Sequence, residues 1–202
     1  MTDAITEEKI KNAARVIFTQ KGYASAKMRD IATLAGVNLA LVNYYFRSKD
    51  NIFKIIMREK MYKIFGMIFP YMQDENTTLE EKITKISEIY IDMLSEDPNL
   101  PIFVFGEIQK EPENFTSMLP ITSANIKEMS IAKQFSQYDT GISPVHFMLN
   151  FLGMTIFPFI AMPLLEKIKV DSSENLKLLI KERKKMIPIW MKNMFNNDNY
   201  KK

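Results

Sequence analysis

The stretch from Met28 to Asn51, MRDIATLAGVNLALVNYYFRSKDN, constrains this chain more than any other. Met28, Ile31, Ala32 and Ala35 recur at the spacing of one helix face, and Ser25 or Ala26 stands just before them as the helix start. Gly36 interrupts the period, Val37 is placed to plug a turn, and Asn38 is a strong N-cap for a short helix from Leu39 to about Tyr45. Two short helices around a glycine turn make a helix-turn-helix, with Ala32 keeping the crossing point small.

The second of these helices has an unusual surface. Val42 and Phe46 lie four apart and face inward, with Tyr45 partly buried beside them. Leu39, Ala40, Asn43 and Tyr44 then point outward. That set suits base edges and thymine methyl groups better than bulk water. The hydroxyls of Tyr44 and Tyr45, with Lys27 and Lys49, are placed to reach phosphates. Ser48-Lys49-Asp50 opens a further helix whose first N–H groups, with Lys49, form a phosphate clamp. The expected DNA-contacting set is Lys27, Asn38, Leu39, Ala40, Asn43, Tyr44, Tyr45 and Lys49.

Charge is divided in the same sense. Residues 1–65 carry 12 Lys and Arg against 6 Asp and Glu, and the remainder carries 15 against 18, within a total net charge of +3. A basic head on an acidic body points to a polyanionic partner for the head.

Gly22-Tyr23, Met28-Arg29-Asp30-Ile31-Ala32, Ala35-Gly36-Val37-Asn38, Tyr44-Tyr45-Phe46 and Ser48-Lys49-Asp50 together resemble, over roughly residues 6–55, the N-terminal signature of the TetR/AcrR transcriptional regulators. The resemblance implies an all-α chain: a three-helix DNA-binding domain over 1–48, then a helical ligand-binding and dimerisation domain over 49–202. It further implies a homodimer on a double-stranded operator, released by a small lipophilic effector. Two departures from the family pattern stand out. Ala26 and Lys27 replace a Thr/Ser pair that caps the second helix and bonds a phosphate, so the cap must come from Ser25 or be lost. Asn43 stands where the family often has tyrosine, and asparagine reads adenine in bidentate fashion.

Around this unit the helical period continues. Thr6-Glu7-Glu8 reads as the start of a first helix with Ile10, Ala13, Ala14, Ile17 and Phe18 on one face and Gly22 as its left-handed C-cap. After Lys49, the apolar positions Phe53, Met57, Met61, Ile64, Phe65 and Ile68 run to Pro70, which is expected to end the helix. Residues 73–78 form a polar linker with Thr78 as cap, and Leu79, Ile83, Ile86, Tyr90, Met93 and Leu94 stripe the next helix. Asp97 to Pro101 is a turn, Ile102–Lys110 a short apolar helix ended by Glu111-Pro112-Glu113, and Pro120 opens a helix to about Tyr138 that Asp139-Thr140-Gly141 closes.

Between Asp139 and Glu166 lie 26 residues without formal charge. Their length admits a transmembrane helix, so a membrane-tethered regulator is an alternative. Pro158, Pro163, His146 and Asn150 speak against it, and the next segment is amphipathic through Leu176, Leu179, Ile180, Ile187, Trp190, Met191 and Met194. A helix apolar all round is explained by burial on two sides, in its own core and against a second copy, so the two C-terminal helices are expected to form the dimer seam. Fifteen Met and 14 Phe suggest an adaptable apolar interior. The effector-lining candidates are Met61, Phe65, Tyr90, Phe103, Phe105, Phe147 and Phe151, drawn from an aromatic and methionine set that also includes Phe69, Met118 and Phe157.

Catalysis finds little to work with. There is no cysteine, and the one histidine, His146, has no matching carboxylate or nucleophile, so it reads as a core or interface residue. Glu107, Glu111 and Glu113 bracket a helix end, and Lys181-Glu182-Arg183-Lys184-Lys185 reads as a solvated helix face. No cofactor or metal is expected, and a helical enzyme is the weaker alternative. The N-terminus, MTDAITEEK, lacks the pattern of a signal peptide, which makes a cytoplasmic location the expectation.

Overall fold

The first helix carries its apolar residues three and four apart, and the computed structural model buries that whole face. The structure describes residues 2–98, 100–110, 112–119, 123–138 and 142–195, which are helices and their connections, with no strand among them. They divide into two compact units, Met1–Ile64 and Phe65–Lys202. The boundary falls inside a continuous helix, whereas the sequence division at 48/49 falls where that helix begins.

In the N-terminal unit, α1 (Thr2–Ser25) buries Ile10, Ala13, Ala14, Ile17 and Phe18. It begins before the expected Thr6, with Asp3 supplying an acid in its first turn. Gly22 does break the helix, at φ 70 and ψ 164. That is outside the expected left-handed helical cap, in a region that essentially only glycine occupies. Next, α2 (Met28–Ala35) buries Ile31, Ala32 and Ala35. Gly36 then adopts φ 62, ψ 38, with its N–H donating to Thr33 O and the Val37 N–H to Ala32 O, both at 3.1 Å. This paired closure is a Schellman motif, and it makes the turn sharp.

Asn38 caps α3 (Leu39–Phe46), accepting the Leu41 N–H at 2.7 Å, while Val42 and Phe46 are buried. Next, α4 (Lys49–Gln73) opens with Ser48 Oγ accepting the Asn51 N–H at 3.1 Å. Phe53, Met57, Met61, Ile64 and Ile68 on α4 are buried. Pro70 does not end α4, which runs one turn further. Pro70 and Gly66 are both exposed, so the carbonyl that loses its helical partner to the proline faces water. The Asp74 N–H then donates to Pro70 O at 3.0 Å.

The second unit is organised on α5 (Leu79–Glu96), which starts as expected. Thr78 Oγ1 accepts the Glu81 N–H at 3.2 Å, and the Glu81 carboxylate accepts the Thr78 N–H at 2.7 Å, a reciprocal cap. Behind it come α6 (Leu100–Lys110), α7 (Pro112–Met118), α8 (Ser123–Glu128), α9 (Ser130–Ser136), α10 (Pro144–Lys167) and α11 (Ser173–Phe195). Helix α5 packs on α9, α10 and α11, and α10 also packs on α6 and α11. Ion pairs Glu80–Lys192 (2.9 Å) and Asp92–Lys184 run in opposite chain directions, so α5 and α11 are antiparallel. Leu79, Ile83, Ile86, Ile91 and Leu94 on α5, Phe151 and Phe159 on α10, and Leu176, Ile180, Ile187 and Met191 on α11 are buried residues of these packed helices.

Several sequence expectations change here. Pro112, expected to terminate α6, opens α7, where its missing N–H costs nothing. The single helix expected up to Tyr138 is two, α8 and α9, because Met129 is extended (φ −66, ψ 144). Met129 is buried there and the Ser130 hydroxyl donates to Asp74 O at 3.1 Å. Pro120 and residues 139–141 lie outside the described residues. Pro158 and Pro163 sit inside an unbroken α10. Leu179 is 41% exposed rather than part of the buried stripe. Arg183 is not solvated surface: its guanidinium donates to Met154 O at 2.9 and 2.7 Å and lies over the Trp190 ring at 5.1 Å, tying α11 to α10.

Candidate nucleic-acid interface

Because Val42 and Phe46 are pulled into the core, the helical period forces the opposite face of α3 outward. Ala40, Asn43 and Tyr44 are exposed, Tyr44 to 78%, and Leu39 and Tyr45 are half-buried beside them. A small methyl, a bidentate amide and a phenol therefore occupy adjacent turns of one short helix, the complement a major groove reads. Tyr44 and Tyr45 stand edge to face with ring centroids 5.4 Å apart.

Of the other expected contacts, Asn38, Tyr45 and Lys49 have side-chain partners already. Asn38 spends its side-chain oxygen on the cap of α3. Tyr45 donates its hydroxyl to Asp3 Oδ1 at 2.9 Å, and that hydrogen bond, with burial and the charge of Asp3, holds the phenol above its usual range. Lys49 Nζ donates to Tyr23 O at 2.9 Å and Ala24 O at 3.4 Å, and lies 4.4 Å from the centre of the Tyr23 ring. Lys27 is exposed at the N-cap of α2, and its side chain caps nothing. Nor does Ser25, which ends α1, supply the cap. The Lys27 N–H is instead accepted by the Asp30 carboxylate at 3.3 Å, and Asp30 is paired with Lys21 at 3.0 Å. Lys21 foremost holds the Asp30 carboxyl below its usual range.

Three residues at this surface escaped the sequence reading. Arg29 is exposed in the first turn of α2. Arg47, immediately after α3, is exposed and holds φ 60 without being glycine. Asp3 reaches Tyr45 from far along the chain. Only Arg47 had a local signal, its place between Phe46 and Ser48.

Lys11 and Arg15 on α1 both pair with Glu59 on α4, Lys11 at 2.8 Å, and both pair with Glu8 as well. Phe18, Tyr23 and Phe53 close the same side, with rings 4.7 and 4.5 Å from Phe53. These contacts brace the helix-turn-helix within its own unit.

The effector candidates are scattered in kind. Met61 is buried in the N-terminal unit. In the other unit Tyr90 and Phe151 are paired across α5 and α10 at 6.0 Å, and Phe147 packs on Phe135 at 4.8 Å. Phe65 is half-buried, Phe105 is exposed, and the side chains of Phe103 and Met118 lie outside those described. Burial pushes the Tyr90 phenol up to about 12, and its hydroxyl has no hydrogen-bond partner among the described residues. Phe157, expected among the interior aromatics, is exposed, as is His146, which is therefore no core histidine. Glu113 is exposed, while Glu111 and the Glu107 side chain lie outside the description. No group of three or more potential metal-binding side chains occurs among the described residues.

Residues 10–56 match the family described as bacterial regulatory proteins of the tetR family. A probable HTH-type transcriptional regulator of Bacillus subtilis, YttP, is 25% identical over 171 residues, 77% of either chain. Among solved structures, the fatty acid degradation regulator FadR of Bacillus halodurans superposes with a TM-score of 0.62 at 20% identity, covering 90% of this chain and 93% of that one. The transcriptional regulator FadR of B. subtilis, in complex with stearoyl-CoA, does so with 0.55 at 17% identity, covering 89% and 96%. At these identities the two structures speak to the fold.

Proposed function

The chain is a transcriptional regulator of the TetR/AcrR family, and from that premise we propose that it is a homodimeric repressor freed from its operator by a fatty acyl compound. Such regulators bind DNA and are not enzymes. The exposed trio Ala40, Asn43 and Tyr44 on a helix-turn-helix carries the DNA side of the reading. Two copies place two α3 helices in consecutive major grooves, about 34–36 Å apart, on a pseudo-palindromic site. Ala40, Asn43 and Leu39 read bases, while Lys27, Tyr44 and Lys49 contribute phosphate contacts that fix register. The protein acts in the cytoplasm, where its operator is.

The effector class rests on chemistry and on likeness. Fatty acid regulation and stearoyl-CoA belong to the two FadR structures named above. In this chain, Tyr90 beside Phe151 sets a phenol without a described partner among apolar rings, a suitable anchor for the carbonyl end of an acyl chain. Phe65 and Phe147 complete the proposed lining from the same unit. The effector acts by binding more tightly to the dimer whose heads mismatch the operator, and α4, continuous from Lys49 to Gln73, is the proposed lever.

Selection of bound fragments from random DNA is the first test, and a symmetric two-half-site motif is expected. On that duplex, stearoyl-CoA is expected to release the protein where CoA alone does not, and Tyr90→Phe to blunt release without changing operator affinity. Full operator affinity at saturating stearoyl-CoA would sink the effector assignment and leave the DNA-binding reading standing.

A further inference from the structure

Tyr45 is the half-buried flank of the α3 reading face, and its hydroxyl is occupied. The acceptor is Asp3, in the first turn of α1, at 2.9 Å. Glu7, one turn further along α1, also acts electrostatically on the phenol, so an acidic edge of α1 borders the reading helix. A phenol has a single O–H, so while it donates to Asp3 it has none to give a phosphate oxygen. The exposed Asp3 carboxylate also sets an anion beside a surface whose partner is a polyanion.

We propose that Asp3 is an affinity-limiting residue of this regulator: it withholds the Tyr45 hydroxyl from the DNA backbone and so lowers the sequence-independent part of binding. Phosphate contacts strengthen binding to every sequence alike, whereas base contacts strengthen it to one. Holding back a phosphate donor therefore lowers affinity for selected and random DNA by the same factor while leaving the discrimination by Asn43 and Ala40 intact. This rests on α3 being the DNA-contacting helix.

The test uses the full-length protein on a random-sequence duplex and on a duplex recovered by selection, with affinity followed against salt. Asp3→Asn removes the charge and keeps an acceptor; Asp3→Ala removes both. Asp3→Ala is expected to tighten binding to the random and the selected duplex alike, by roughly 3- to 10-fold at low salt, and to leave the ratio between them unchanged. Asp3→Asn is expected to fall between Asp3→Ala and the native protein. In a Tyr45→Phe background the two Asp3 variants are expected to become equal, because no hydroxyl is left to release. An Asp3→Ala protein no tighter than the native one, or no tighter than Asp3→Asn, overturns the inference. If Asn43→Ala also leaves selected-duplex binding unchanged, the α3 face itself is wrong and both readings fall; if Asn43→Ala weakens it, only the role of Asp3 fails.

Discussion

The ammonium of Lys49 is bound by Tyr23 twice, through the backbone carbonyl at 2.9 Å and through the ring face at 4.4 Å. The first residue of α4 thereby pins the chain just after the Gly22 break, where α1 gives way to α2. The residue read from sequence as a phosphate contact is thus also a brace for the head. An ammonium has three donors, and the two carbonyls leave one for a phosphate. Lys49→Ala is expected to lower unfolding stability by about 1 kcal/mol, the scale of an exposed cation–π contact with its hydrogen bonds, and to weaken all DNA sequences alike. Thermal melting checks the first effect. The salt slope of binding, flatter by about one, checks the second.

Asn43 should behave differently, because its side chain is exposed and holds no hydrogen bond among the described residues. Asn43→Ala is expected to leave the melting temperature in place and to cost about 1–3 kcal/mol on the preferred sequence, with relaxed preference at one base position of each half-site. Competition binding with single-base variants of the selected duplex measures this. A uniform loss across all variants would make Asn43 a backbone contact instead.

The α1–α4 ion cluster predicts an acid sensitivity. Burial alone would raise the Glu59 carboxyl, but the hydrogen bonds and charges of Lys11 and Arg15 outweigh it and hold it below its ordinary value of 4.5; Lys11 foremost does the same for Glu8. A carboxyl depressed in the folded state stabilises the fold above its unfolded value and loses that contribution as pH falls through the depressed one. The stabilisation is therefore present at neutral pH and disappears below the usual glutamate range. The groups are partly exposed, so the expected size is no more than about 1 kcal/mol. Denaturant titrations of Glu59→Gln are expected to show reduced stability at neutral pH and a shallower loss on acidification than the native protein.

Local rules carried the sequence reading a long way, and tertiary ones ended it. The Gly36 turn, the Asn38 cap and the Thr78–Glu81 box each depend on residues within a few positions, and each forms as the sequence implies. The inward pair Val42 and Phe46 likewise follows from the period of a single helix. The break at Met129 is different: it comes with burial of that side chain and a bond from Ser130 to Asp74, 56 positions away. Arg183 looked like surface because its neighbours are charged, yet its partner is a carbonyl of α10. Asp3 and Tyr45 are 42 apart, and no spacing rule joins them. The outward face of α3 was therefore legible, and the residue poised against it was not.

Helix α10, without a formal charge until Glu166, leaves an apolar stripe open in the single chain. Val145, Leu149, Phe157 and Leu164 recur at helical spacing, and Phe157 is 64% exposed. Leu178, Leu179, Met186 and Ile189 on α11 are exposed as well. Such a surface is costly in water, since burying one large side chain returns about 1.5–3 kcal/mol. By length and composition α10 also satisfies what crossing a membrane requires, so two partners compete for the stripe: a second copy and a bilayer. They respond oppositely to one charge. In a twofold dimer, Phe157→Glu is felt by both copies at once, and the expected result is a species of half the mass in gel filtration with weakened binding to a two-half-site duplex but an unchanged fold by circular dichroism. The native protein is expected to stay in the soluble fraction without detergent. A native protein that pellets with membranes, and a Phe157→Glu variant that leaves them, would instead assign the stripe to lipid.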